Sequence, residues 1–334
     1  MLNRLRANRW VRLVVVVVVL ACAGIALYSR WEEAREALAA LSPWAVGASL
    51  PAALAGLGAQ MMAWRSILAG LGSRLPVGTA ARVMFLGQLG KYLPGSVWAF
   101  VAQVELARDH DVARRRGIAA TVLAVAVTLT VNLAVAAGTL PFVSADAARR
   151  WWWVLAVAPV LLALLHPRVV TALINTAMRP ARRFRQAQAA EVERVSGRGM
   201  AGALGWSLVA WIPLSLHVWV LVAAAGGGQD ARALPVAAGA YALAWTLGLL
   251  VVFAPAGLGV RELVLVVGLA PVLDPGSALV VAALSRLVMT AADLLWAGGA
   301  LIATRAAAAP RPGRPAADGS GSGSDTAGGD PAAG

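Results

Sequence analysis

Two apolar segments broken by glycine and proline, each carrying ionisable side chains, constrain this chain more than any other feature. The first reads Gly87-Gln-Leu-Gly-Lys-Tyr-Leu-Pro-Gly-Ser-Val-Trp98, the second Ala254-Pro-Ala-Gly-Leu-Gly-Val-Arg-Glu262. They sit among uncharged runs of membrane-spanning length, such as residues 37–64 and 117–145. A charge at membrane depth costs about 2.5–3.5 kcal/mol on insertion scales, so it faces protein or water and has a function. Backbone freed by a break at that depth needs the same shelter. Two such breaks in corresponding parts of a polytopic chain point to a transport site.

Charged residues make up only 13% of the chain, against about 25% in soluble domains, and 60% is apolar. This excludes a soluble enzyme and places the chain in the membrane. No polar block is long enough for a second domain. The expected organisation is a short cytoplasmic N-terminus (1–12), a membrane domain (13–305) and a disordered, Ala/Gly/Pro/Ser-rich cytoplasmic tail (306–334). The single cysteine, Cys22, and the scattered His110, His166 and His217 lack metal-ligand spacing. No metal, cofactor or nucleic acid is expected.

The fold class is all-α: six full spans, at about residues 13–29, 37–64, 117–145, 151–165, 200–225 and 277–304, plus the two broken segments at 79–107 and 235–270. The arms of the first broken segment are 13 and 12 residues. At about 1.5 Å per residue each reaches ~20 Å, short of the ~30 Å hydrocarbon core. The segment is therefore expected to turn back at Lys91–Gly95 and leave on the face where it entered. Net charge is +13, and the arginines test this topology. With both termini inside and both broken segments returning, 21 arginines fall in inside loops and five in outside loops, as the positive-inside rule requires. The broken segments then dip from opposite faces, as in inverted-repeat carriers. The cell membrane is the expected location.

Chemistry concentrates at the breaks. Gly95, Gly257 and Gly259 permit positive φ or close backbone approach, and Pro94 and Pro255 end helices. Lys91, beside Tyr92 and Trp98, is placed to hold a lipid phosphate; the alternative is an interfacial anchor. Arg261 can grip phosphate bidentately beside the free N–H groups of a helix start, where Glu262 suits the dipole; the alternative is an Arg–Glu clamp across the break. Arg286 and Asp293 lie seven residues apart on one face of the last span, too far for direct pairing. Their expected partners are Glu262 for Arg286, and Lys91 or Arg261 for Asp293. His217 and Asn132 are read as hydrogen-bonded core groups. Glu105, Asp109 and Asp111 are the only acidic candidates for a catalytic cluster at the membrane face.

At Leu93-Pro-Gly95, at Pro255-Ala-Gly-Leu-Gly-Val-Arg-Glu262, and at the following span with Arg286, the chain resembles the lysylphosphatidylglycerol synthase transmembrane region. This flippase-like domain forms the membrane half of the multiple peptide resistance factor. The resemblance covers roughly residues 10–305. It implies movement of a phospholipid or lipid-linked intermediate between leaflets, with an anionic phospholipid or lipid phosphate as partner. A homo-oligomer or a cell-envelope glycosyltransferase remains open as a further partner. Without the soluble aminoacyl-transfer domain, synthesis of lysyl-lipid is not expected. Ala256 departs from the more usual Gly or Ser. The competing functions are a membrane-embedded transferase acting on lipid or polyprenyl phosphate, and a non-transporting subunit of an envelope enzyme.

Overall fold

In the computed structural model the described residues are 42–92, 97–143, 195–228, 231–251 and 254–308, with isolated positions 35 and 39. They form eight α-helices and no strand: α1 (Pro43–Gly70), α2 (Val77–Gln88), α3 (Val97–Arg108), α4 (Arg114–Val143), α5 (Gly197–Ala224), α6 (Ala233–Leu250), α7 (Val260–Leu269) and α8 (Pro275–Ala308). Short 3₁₀ turns at Leu89–Tyr92 and Pro255–Gly257 follow α2 and precede α7. Five helices (α1, α4, α5, α6 and α8) are long and apolar enough to cross a membrane. The chain is a multi-pass, all-α membrane protein. The expected spans at 13–29 and 151–165, residues 166–194 of the expected loop at 166–199, and residues 309–334 of the expected tail lie outside the described residues, while α8 runs on through the first three tail positions to Ala308.

Helix ends follow local chemistry. Ser42 caps α1, its Oγ accepting from the Trp44 N–H at 3.3 Å, with Pro43 in the first turn. Ser196 caps α5 through the Gly199 N–H at 3.1 Å. Among the described residues α1 and α5 pack antiparallel as the most extensive helix pair. A Cβ on Gly56 would lie 2.5 Å from Leu214 Cδ2, and one on Gly199 would lie 2.6 Å from Gly70 Cα. Small residues at both crossings let the backbones approach, which substitutes for a hydrophobic driving force in lipid. Asn132 accepts the Trp211 Nε1–H at 3.2 Å, tying α4 to α5. His217 pairs with Ser285 at 3.0 Å inside the core. Both groups are core hydrogen-bonders, as read from the sequence.

Contacts at the helix ends sort the termini into two groups. At one end the Ser196 N–H donates to Gly70 O at 3.0 Å. There Arg116 reaches Gly72 O and Ser73 Oγ, and Arg65 Nε donates to Leu75 O at 2.7 Å. At the other end Arg232 donates to Phe142 O at 3.4 Å, and Leu273 lies against Gly227. The α2–α3 segment therefore starts and finishes at the arginine-rich end, and α6–α7 at the opposite end. Both broken segments are antiparallel hairpins dipping from opposite ends.

The hairpins are not equivalent. α2 and α3 have 12 residues each, about 18 Å. α6 has 18 residues and α7 only 10, about 27 and 15 Å. The second hairpin is thus the more unequal of the two. Its first arm reaches nearly a full crossing because residues 233–250 contain no charge to stop it.

Candidate functional site

The two hairpin tips meet against α8. Glycine makes the first hairpin close. A Cβ on Gly90 would sit 2.8 Å from the Ala99 backbone N, and one on Gly87 would sit 2.9 Å from Gln103 Cα. This contact delivers the Leu89–Tyr92 turn to Asp293. Lys91 Nζ lies 2.5 Å from Asp293 Oδ2, and the Tyr92 hydroxyl donates to the same oxygen at 2.7 Å. Asp293 is only 2% exposed, so these two partners are what makes its charge tolerable.

The second tip turns through left-handed backbone, with φ of 49° at Ala256, 70° at Gly257 and 83° at Gly259. Ala256 carries a Cβ where glycine is relaxed, at a cost of about 1–2 kcal/mol. α7 then begins with Glu262 doing two things. Its Oε2 accepts the Gly259 N–H at 2.7 Å, and its Oε1 pairs with Arg286 Nη1. At this helix start Glu262 takes the Gly259 N–H, because a carboxylate three residues inside a helix folds back onto the cap N–H, so the expected anion site there has one donor fewer.

Arg261 is handled differently. Its stem crosses Gly248, where any Cβ would collide with its Cγ, and passes 3.0 Å from the Cβ position of Gly257. The guanidinium lies 5.4 Å from the Trp245 ring centre and 5.8 Å from that of Tyr241, with a long hydrogen bond of 3.4 Å to the Tyr241 hydroxyl. Among the described residues no carboxylate lies within ion-pair distance of it. Cation–π contact holds the group in place without neutralising it.

Lys91, Tyr92, Arg261, Glu262, Arg286 and Asp293 line one small polar cavity. Arg261, Lys91 and Asp293 also line a second, larger one of about 160 Å³, with Gly257 in its wall. The larger cavity is walled mainly by uncharged residues of α1 to α6, including Gln60, Gln88, Gln103, Thr121 and Ser207. Three cations and two carboxylates give the pair of cavities a net charge of +1. Both expected ion pairs form, Glu262–Arg286 and Lys91–Asp293, and Arg261 remains over.

Not every expected site residue joins. Trp98 is 51% exposed on α3 and lines neither cavity. One and two residues further along the helix, Ala99 and Phe100 line the larger cavity instead. Gly259 contributes through its bonded N–H. Pro255 belongs to the 3₁₀ turn, and Pro94 and Gly95 lie outside the described residues. Glu105 is held by Arg108 and Arg114 at 2.7 and 2.9 Å. Sequence reasoning missed Tyr241, Trp245 and Gly248, whose spacing of four and three places them on one helix face. Inside an uncharged run that face carried no signal until Arg261 was seen to lie on it.

No curated protein matches the chain. Residues 9–297 match the family described as the lysylphosphatidylglycerol synthase TM region, and with most of its length covered the chain belongs to that family.

Proposed function

We propose that this protein moves a phosphate-bearing lipid between the leaflets of the cell membrane, with Arg261 as the phosphate ligand. The observation that carries this reading is the charge count of the paired cavities. Lys91 and Arg286 each have a carboxylate, whereas Arg261 has, among the described residues, two aromatic rings and the Tyr241 hydroxyl but no carboxylate. An anion arriving at Arg261 neutralises the site without breaking an existing pair. Membership of a lipid-associated membrane family supports a lipid as the source of that anion. So does the neighbouring apolar groove between α3 and α4, about 380 Å³, which shares Phe100, Thr121 and Val125 with the larger cavity. A polar chamber beside an apolar groove suits an amphiphile.

Leaflet-resolved lipid movement in proteoliposomes tests the proposal. Arg261→Lys keeps the charge but loses the bidentate fork and should slow transport by roughly tenfold, about 1.4 kcal/mol, with detergent melting unchanged. Arg261→Ala should slow it further. Full transport by a stable Arg261→Ala protein eliminates Arg261 as the ligand. Loss of melting temperature in step with activity in both variants assigns it to structure alone.

The same reading orients the bundle. The end that gathers Arg65, Arg74, Arg108, Arg114, Arg115, Arg116 and Arg198 faces the cytoplasm, together with both termini. With Cys22 replaced, a cysteine introduced at Gly227 should label from outside intact cells and one introduced at Ala113 should not. The reverse pattern overturns the orientation.

A further inference from the structure

The two cavities extend toward opposite ends of the bundle. The larger takes much of its wall from residues 57–67 of α1 and 121–128 of α4, the halves of those helices that reach the arginine-rich end. The smaller lies among α6, α7 and α8 as far as Asp293, on the side where these helices reach the other end. Five residues line both: Lys91, Trp245, Ala256, Arg261 and Asp293. They form the layer between the two chambers.

That layer holds two cations and a single carboxylate. Glu262 lines the smaller cavity alone and is committed to the Gly259 N–H and Arg286. Asp293 is the only acid in the wall of the larger cavity. The Lys91 ammonium and the Tyr92 hydroxyl hold it in place through one oxygen. An anion arriving at Arg261 therefore meets a local charge of +1 with Asp293 present and +2 without it. Asp293 is 2% exposed, so it acts on such an anion through its field rather than by contact. At an effective dielectric of about 20, a unit charge at about 8–10 Å alters anion affinity by roughly tenfold or more. Passage between chambers needs binding strong enough to draw the anion in and weak enough to let it leave.

We infer that Asp293 is the release residue of this site: besides anchoring Lys91, its carboxylate holds the layer's affinity for a phosphate anion low enough for the anion to pass from one chamber to the other. This deepens the phosphate-lipid reading above and rests on it for the placement of the anion at Arg261.

A probe without a headgroup isolates the charge. The full chain in detergent is titrated by calorimetry with dihexadecyl phosphate, a monoanion, and with an uncharged diacylglycerol. Movement of the same phosphate lipid is followed in proteoliposomes. Asp293→Asn should bind dihexadecyl phosphate about tenfold tighter and move it several-fold more slowly, although its melting temperature falls. Lys91→Met/Asp293→Asn restores the count of +1 and should bring both affinity and rate back toward the parent. Gln88→Lys adds a cation to the wall of the larger cavity without touching the anchor. It should act as Asp293→Asn does, and it stands in where that variant does not fold. Diacylglycerol binding should stay constant throughout.

An anchor with no part in release predicts otherwise: affinity unchanged or weakened in Asp293→Asn, with the rate falling in step with melting. That result overturns the inference, as does tighter binding with faster movement. Equal changes for diacylglycerol overturn it too, because charge is then not the cause. Arg261→Ala decides the underlying reading separately. If it leaves dihexadecyl phosphate affinity intact, the ligand assignment fails whatever Asp293→Asn does. Affinities that follow the charge count in a protein that moves no lipid uphold the balance set by Asp293 and refute transport.

Discussion

The two hairpins solve one problem with opposite charges. Each brings a broken helix to the middle of the bundle, and each is closed by glycine against its own partner arm. The α2–α3 tip presents a cation, Lys91, and α8 answers with Asp293. The α6–α7 tip presents a carboxylate, Glu262, and α8 answers with Arg286. Seven residues separate these two α8 groups, two turns or about 10 Å along one face, so α8 spaces the tips while neutralising both. The difference lies in what is left over. The first tip is balanced, whereas the second carries Arg261, held by Trp245 and Tyr241 and, among the described residues, by no acid. Both tips are thus anchored on α8, and under the proposed function ligand recognition falls to the second hairpin alone, despite their similar look in sequence.

Breaking the more buried anchor should give the largest effect. Asp293 is almost fully enclosed, and Asp293→Asn leaves the Lys91 ammonium without its counter-charge, an expected loss of about 3–5 kcal/mol. The double variant Lys91→Met/Asp293→Asn should recover most of it, and a double-mutant cycle on detergent melting measures the coupling. The same cycle on Arg286 and Glu262, which are about a fifth exposed, should give a smaller value. Equal coupling at the two tips would remove the distinction in burial drawn here.

Next in size are the glycines beneath each tip. Gly248→Ala forces a methyl into the Arg261 stem, and Gly90→Ala forces one into the Ala99 backbone. Overpacking of this kind costs about 1–3 kcal/mol. The side chain over Gly248 can move and the backbone over Gly90 cannot. Gly248→Ala should therefore lose phosphate-lipid binding with little change in melting, and Gly90→Ala should lose melting temperature first. If Gly248→Ala keeps full affinity, the position of Arg261 is not what the glycine provides.

The smallest effect sharpens the contrast in how the hairpins join α8. Only α7 leads directly into it, through residues 270–274, and Asp274 caps the joint by accepting the Ser277 N–H at 2.9 Å. Partial burial pushes the Asp274 carboxyl up, but hydrogen bonds from Ser277 and the backbone N–H groups outweigh this and hold it below its ordinary value. A depressed carboxyl stabilises the fold above its unfolded pKa, and the gain is lost as pH falls through the folded value. Asp274→Ala should lower stability by about 1 kcal/mol at neutral pH. The gap to the parent protein should close below about pH 4, as a melting series on both proteins would show.

Much of this architecture was legible in residue order. Uncharged runs mark the helices because no charge interrupts them. Pro255 and the glycines at 257 and 259 mark a break because proline ends a helix and glycine accepts positive φ. The distribution of arginine separates the two ends. All three signals are local, or additive along the chain. Which cation stays free is a different kind of fact. Lys91 and Asp293 are 202 positions apart, and either Lys91 or Arg261 satisfied the sequence as the partner of Asp293. Only the meeting of the α2–α3 tip with α8 gives Asp293 to Lys91. Only the packing of α6 against α7 lays Arg261 over Trp245 and Tyr241, and only the folding back of Glu262 takes up the Gly259 N–H. That Gln60, Thr121 and Ser207, from three different helices, line one cavity belongs to the tertiary structure entirely. A side chain's need for a partner is written in its chemistry, but whether that need is met depends on what the fold brings within about 3 Å.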